Sequence, residues 1–308
     1  MRRKIPSTAA LAAFEAAARH QSFTRAAEEL SVTQSAVCRQ IASLEDFVGV
    51  PLFRRGQRGV LLTEAGRRYA RSVAARLDAV ERDTLDLMAQ AGQAAGGALE
   101  LAVVPTFATQ WLLPRLARFQ AAHPGITLHF TPRTRPFLFD DESPFDAAIQ
   151  PAESPWPGTQ GLALLPEHLI AVASPALLQG RRVRSVADVA ALPLLQASTR
   201  PDAWRQWFEA QGLQVEQAMA GARMELFSML AEAAAQGLGA ALVPRLLVEN
   251  ELASGRLQQL LPFALDSGRR YHLLYPPHKA DLAPLQALAD WLAQEAHAAQ
   301  SATLSGSP

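Results

Sequence analysis

The sequence predicts an α/β protein in two parts: a small helical module that carries a β-hairpin and, behind one long helix, a larger domain of alternating strands and helices. Three observations predict it. Apolar residues before position 50 recur at helical spacing, an amphipathic stripe runs from 64 to 92, and beyond the Gly96-Gly97 pair short apolar runs alternate with helical ones. With 308 residues, 49% of them hydrophobic, the chain can bury more than one core.

The elements follow in order. Leu11, Phe14, Ala17 and Ala18 give a first amphipathic helix. Ser22 caps a second, Phe23 to Leu30, whose Ala26, Ala27 and Leu30 face inward. Ser31-Val32-Thr33 is a three-residue turn, and Thr33 caps a third helix from Gln34 to Val48. Two short helices joined by so tight a turn, with small alanines where they cross, form the helix-turn-helix pattern. On the third helix Val37, Ile41, Leu44 and Val48 share one face, and Gln34, Ser35, Cys38 and Arg39 share the other. A recognition helix reads base edges with its N-terminal residues. Gln34 can pair with adenine, Arg39 with guanine or phosphate, and Ser35 and Cys38 are small enough for close approach beside Thr33. Next, Leu52-Phe53-Arg54-Arg55, the turn Gly56-Gln57-Arg58-Gly59 and Val60-Leu61-Leu62 read as a hairpin wing that offers Arg54, Arg55 and Arg58 to backbone phosphates. The N-terminal module, 1–63, is thus a winged helix-turn-helix, all-helical apart from its wing.

Thr63 caps the long helix, 64–92, which spans about 43 Å at the α-helical rise. Its Ala70, Val73, Leu77, Val80, Thr84, Leu87 and Ala91 form an imperfect heptad stripe, the pattern of a dimer seam. In the remainder, Leu99 to Val104 reads as a strand, Trp111 to Ala122 as a helix, Ile126 to Phe130 and Asp146 to Ile149 as further strands. Leu194-Leu195 and Ala240 to Val243 add two more strands, and Leu285 to Ala296 a closing helix. Residues 301–308 are small and polar and read as a disordered tail.

Net charge is zero but unevenly placed. Residues 1–68 hold eleven basic against six acidic residues, a net of +5, whereas residues 93–308 hold fifteen against nineteen, a net of −4. The first part carries the footprint of a polyanion binder and the second would be repelled by one. The one cysteine, Cys38, cannot form an internal disulfide and suits a reducing cytoplasm. No run of 18 uncharged apolar residues is present, and the basic start at Met1 to Lys4 meets Glu15, Arg19 and His20 too soon for an export signal, so no membrane partner is expected.

Catalytic chemistry is not expected. There is no P-loop and no HExxH, and the seven histidines lack metal-ligand spacing, so neither cofactor nor metal is called for. Gly237-Leu238-Gly239 lacks the spacing of a dinucleotide loop and reads as tight packing before a strand. A solute-binding protein would not explain residues 1–92, and an architectural DNA protein would not explain some 200 residues of mildly acidic α/β domain.

The stretches Ser22-Phe23-Thr24-Arg25-Ala26-Ala27, Val32-Thr33-Gln34-Ser35-Ala36-Val37, Leu44-Glu45, Gly49-Val50-Pro51-Leu52-Phe53 and Leu62-Thr63 with Gly66 resemble the LysR-type DNA-binding signature nearly position for position. Cys38 stands where that pattern has serine. The run Pro105 to Thr109 before Trp111-Leu112-Leu113-Pro114 is similar to the branch containing the glycine-cleavage activator and the β-lactamase regulator. The resemblance implies a regulatory domain over 93–300 that is bilobal and periplasmic-binding-protein-like, with one lobe at 97–165 and 268–297 and the other at 166–267, joined by two crossover strands. It also implies a sequence-specific DNA-binding transcriptional regulator that binds an interrupted palindrome in double-stranded DNA. Such a regulator is a dimer through 64–92 and a tetramer through its regulatory domains, with RNA polymerase as a candidate partner. A small anionic or zwitterionic effector would sit between the lobes, at the carboxyl ends of strands and amino ends of helices. Thr106, Phe107, Thr109 and Gln150 would face it from the first lobe, and Ser198, Thr199, Phe227 and Ser228 from the second.

Overall fold

A computed structural model describes residues 4–56, 59–90, 97–140, 143–180 and 182–305. The chain divides into two compact units, Met1–Gly92 and Gln93–Pro308. In the first, α1 (Thr8–His20), α2 (Phe23–Glu29) and α3 (Gln34–Val48) precede a hairpin of β1 (Phe53–Gly56) and β2 (Gly59–Leu62) and then α4 (Glu64–Gln90). A hydroxyl sets each helix start. The side chains of Ser7, Ser22 and Thr33 accept the N–H groups of Ala10, Arg25 and Ala36, satisfying donors that a first turn leaves orphaned. Thr63 does the same for Gly66 at 3.0 Å while its own hydroxyl donates to the Pro51 carbonyl at 2.8 Å.

The turn from α2 to α3 closes in so few residues because Ser31 adopts a left-handed φ of 55°. Buried Ala16, Ala17 and Ala26 let α1 and α2 approach closely. Phe14 anchors the rest of this core against Leu44, Leu52 and Val73 and meets Phe53 edge-on, ring centroids 5.6 Å apart. Glu45 ties α3 to the wing by accepting the N–H groups of Leu52 at 2.6 Å and Phe53 at 3.0 Å. Gly66 is required by sterics: a Cβ there would lie 2.1 Å from the Leu52 carbonyl oxygen.

The second unit opens with β3 (Gly97–Val103) and a helical run over 105–122, made of α5 (Pro105–Phe107), a π-turn at Ala108–Leu112 and α6 (Leu113–Ala122). The helix starts six residues before the expected Trp111 because Pro105, with its fixed φ and no N–H to satisfy, suits the first helical position. Then come β4 (Ile126–Pro132), β5 (Ala147–Ala152), β6 (Gln160–Ala173), α7 (Pro175–Leu178), α8 (Val186–Ala190), β7 (Leu194–Ala197) and α9 (Ala203–Glu209). The chain ends with β8 (Arg223–Met224), α10 (Phe227–Ala235), β9 (Ala240–Pro244), α11 (Glu249–Ala253), β10 (Gln258–Tyr275) and α12 (Ala283–Ser305). The strands stand in the order β4-β3-β5-β10-β6-β9-β7-β8.

This sheet serves two lobes. β3 runs parallel to β4 and β5 at one end, and β7 runs parallel to β9 and β8 at the other. The antiparallel pair β6 and β10 passes through both, with a break in register between Asp266 and Arg270 on β10 where β6 places Glu167. Gly268, at φ 73°, turns the chain inside that break. The first lobe buries Leu101, Phe107, Trp111 and Tyr271 under Trp291 and Leu292 of α12. The second buries Trp204, Trp207 and Phe208 in one cluster and Leu230, Ala234 and Val248 in another. Ser301 to Ser305, expected as the start of a disordered tail, continue α12 instead, and the Ser301 hydroxyl donates back to the His297 carbonyl at 3.0 Å. Residues 306–308 lie outside the described residues.

Candidate functional site

In the first unit α3 presents its expected surface. Val37, Ile41 and Leu44 are buried against α1 and α2, which turns Thr33, Gln34, Ser35 and Arg39 to solvent and leaves Cys38 half-buried. Thr33 is committed as a cap, with its oxygen 3.0 Å from the Ser35 hydroxyl as well as accepting from Ala36. Gln34 and Arg39 thus carry the long polar side chains of this face. On the wing, β1 pairs Arg54 with Leu61 and Arg55 with Val60. Both arginines are exposed, and strand alternation sends them to opposite faces of the ribbon. Arg58 lies outside the described residues.

In the second unit a cavity of about 40 Å³ lies between the lobes, where β3 leads into Pro105 and β10 emerges from its break. Thr106, Phe107, Thr199 and Phe227 line it together. Two hydrogen bonds span it: the Ser228 N–H donates to Thr106 Oγ1 at 3.1 Å, and the Thr134 hydroxyl donates to Glu225 Oε1 at 2.6 Å. Behind it Trp111, Phe107 and Tyr271 stack, with successive ring centroids 5.0 and 4.4 Å apart. Burial pushes the Tyr271 phenol well above its usual range.

Four expected residues do not line this cavity, Ser228 among them although its N–H reaches Thr106 across it. Thr109 is exposed, and its hydroxyl donates to the Pro105 and Thr106 carbonyls at 3.2 Å, as helical threonines do one turn back. Gln150 is buried and donates its amide to the Arg133 carbonyl at 2.8 Å. Ser198 is exposed at the strand end, its N–H donated to the Met224 carbonyl. Sequence reasoning missed a buried ion pair. Arg200 lines the cavity and donates through Nε and Nη2 to the two carboxylate oxygens of Glu167, at 2.8 and 2.7 Å. Glu167 is fully buried at the lobe crossover. A lone carboxylate inside the apolar run Leu162 to Val172 was the available signal, because an unpaired buried charge is untenable. Tyr271, Thr134 and Glu225 had no comparable signal.

The sequence matches the family described as bacterial regulatory helix-turn-helix protein, lysR family, over residues 8–67. It matches the LysR substrate binding domain over residues 92–297. The chain belongs to the LysR family. It is 38% identical over 305 residues to the glycine cleavage system transcriptional activator of Escherichia coli, covering 97% of each chain. It is 37% identical over 289 residues to the transcriptional activator AmpR of Pseudomonas aeruginosa, covering 93% of this chain and 95% of the other. The solved effector domain of that AmpR superposes with a TM-score of 0.60 at 30% identity, covering 68% of this chain and 99% of the other. As a LysR-type chain it is a transcriptional regulator, with a DNA-binding helix-turn-helix domain followed by a two-lobed effector-binding domain. Among the described residues no helix is long and apolar enough to cross a membrane, and no His, Cys, Asp and Glu cluster is arranged to hold a metal.

Proposed function

We propose that this regulator reads an interrupted palindrome as a dimer, with α3 of each copy in successive major grooves and Arg54, Arg55 and Arg58 on phosphates. Gln34 and Arg39 read base edges, while Thr33, Ser35 and Cys38 keep the helix close to the groove. The copies pair through helix 64–92 and again through their regulatory domains to make a tetramer. It works in the cytoplasm by binding alone, without turnover, and the DNA-bound assembly presents itself to RNA polymerase.

The signal is a small anionic or zwitterionic effector held between the lobes by Thr106, Phe107, Thr199 and Phe227. The hydrogen bond from Ser228 to Thr106 carries this reading: it joins the two lobes across a small cavity, so anything that replaces it changes how the lobes meet. A ligand shifts transcription only through unequal affinity for two arrangements of the assembly. The response is therefore a change in DNA bending or site spacing more than in overall affinity. A thermal-shift screen of the full-length protein against amino acids, carboxylates and cell-wall fragments finds the effector by mass action. Footprinting with and without that ligand then tests the site. Thr106→Val keeps the side chain's shape and deletes the hydroxyl, and it abolishes the ligand-induced change in footprint. A full response from that variant would place the effector elsewhere.

A further inference from the structure

The charges around the cavity are unevenly committed. Arg200 is the cationic side chain among the lining residues, and its fork is spent: Nε and Nη2 meet Glu167, and Nη1 donates to the Thr199 carbonyl at 2.8 Å. Glu167 holds that charge inside the protein, with both side chains at least nine-tenths buried. Arg269, in the β10 break opposite Glu167, does not line the cavity. Glu225 differs. Its side chain is 47% exposed, it lines the cavity, and among the described residues its one ion-pair contact is with Arg135, whose Nε stands 3.9 Å away on a side chain that is 86% exposed. A pair so open and so long contributes little. The cavity therefore presents one under-compensated carboxylate, which attracts a cation and repels a bare anion.

We infer that the effector carries an ammonium group received by Glu225, so that the cleft selects a zwitterion such as a short α-amino acid over a simple carboxylate. This rests on the reading of the interlobe cleft as the effector site. The ammonium displaces the Thr134 hydroxyl that now donates to Glu225, freeing it, with Thr199, to donate to the ligand's carboxylate. Phe107, Phe227 and Tyr271 wall the space with apolar surface. At about 40 Å³ it has room for only about three waters, which suits a ligand of few heavy atoms.

The test is calorimetric titration of the full-length protein with α-amino acids, each compared with its N-acetyl derivative and with the carboxylate that lacks the amino group. At least one free amino acid binds, its two relatives bind at least tenfold more weakly, and Glu225→Gln weakens the amino acid by roughly tenfold or more, the order expected for a lost charge-assisted hydrogen bond. Glu225→Asp retains the charge and recovers part of the affinity, and circular dichroism identifies a variant that has merely failed to fold. Equal binding of amino acid and deaminated carboxylate, or an unchanged affinity in folded Glu225→Gln, overturns the inference. So does the absence of any amino-acid binding. Carboxylate binding that is lost in Thr106→Val would leave the interlobe effector site standing while removing Glu225 from it. Carboxylate binding untouched by Thr106→Val would remove the site itself.

Discussion

Gln34 and Arg54 sit on the same module, and the proposed DNA-binding mode gives them different work. Gln34 is exposed near the start of a helix whose opposite face is buried, so its amide can meet a base edge. Gln34→Ala costs about 1 to 3 kcal/mol at one base position and relaxes specificity there, which a binding series over single-base variants of the site reads directly. Arg54→Ala weakens every sequence alike and lowers the salt slope by about one. A third residue stabilises the module they stand on. Glu29 accepts from Arg19 Nη1 at 3.0 Å and lies 2.6 Å from His20 Nε2, joining α1 to α2. Hydrogen bonds from Arg19 first and His20 second hold its carboxyl down at about 2. A carboxyl whose folded value is depressed contributes stability that is complete above its unfolded value near 4.5 and is lost as pH falls through that value toward 2. Glu29→Gln therefore destabilises the first unit at pH 7 and flattens its acid dependence between pH 4.5 and 2, as followed by thermal melts across that window.

The long helix shows how one sequence pattern can serve two partners. Its stripe from Ala70 to Ala91 has a single period, but Tyr69, Ala70, Val73 and Leu77 pack on their own module's core beside Phe14 and Leu52. Farther along, Val80 is 60% exposed and Met88 68% exposed, both turned away from that core. The Leu87 side chain and Ala91 lie outside the described residues. A seam with a second copy is therefore best tested at Val80. Val80→Asp puts a charge between paired helices and lowers the oligomeric order in sedimentation while the melting temperature of the first unit stays near wild type. Leu77→Asp instead lowers that melting temperature, because it charges the intramolecular core. Periodicity cannot separate the two roles, since a stripe records burial and not the identity of the partner. Elements with a local cause were legible in the sequence: the caps Ser22, Thr33 and Thr63, the tight turn at Ser31, and the glycine-bounded wing. β6 and β10 were not. Their register comes from pairing across roughly a hundred residues, and the bulge that divides them lies opposite Glu167, whose partner Arg200 comes from outside both strands.

At the scale of the whole molecule, the effector domain depends on one crossover. Thr106, Thr199 and Phe227 line the cavity because each follows a strand end or opens a helix, a placement local sequence can suggest. Thr109 and Gln150 instead spend their side-chain hydrogen bonds within their own lobe, and the Ser198 N–H is donated within its own. Glu167 and Arg200 decide the geometry between them. Glu167 belongs to a strand that runs through both lobes, and Arg200 follows β7 in the second lobe while touching the cavity. Burying two charges is costly, and such a pair adds little net stability over apolar residues of the same volume. Removing one partner is different, because the other is left buried and uncompensated. Glu167→Ala thus costs about 3 to 5 kcal/mol of effector-domain stability, and it lowers the melting transition of Gln93–Pro308 while the transition of Met1–Gly92 stays near wild type, since each unit holds its own core. The double variant Glu167→Met with Arg200→Met removes both charges at similar volume and recovers most of that loss. Its recovered stability comes without recovered function: with no guanidinium over the Phe227 ring at 5.7 Å and none holding the Thr199 carbonyl, the cavity wall is no longer fixed, and effector affinity stays reduced. Differential scanning calorimetry of the three proteins, alone and with the bound amino acid, separates these effects. A double variant that regained effector affinity along with its melting temperature would reduce the buried pair to packing.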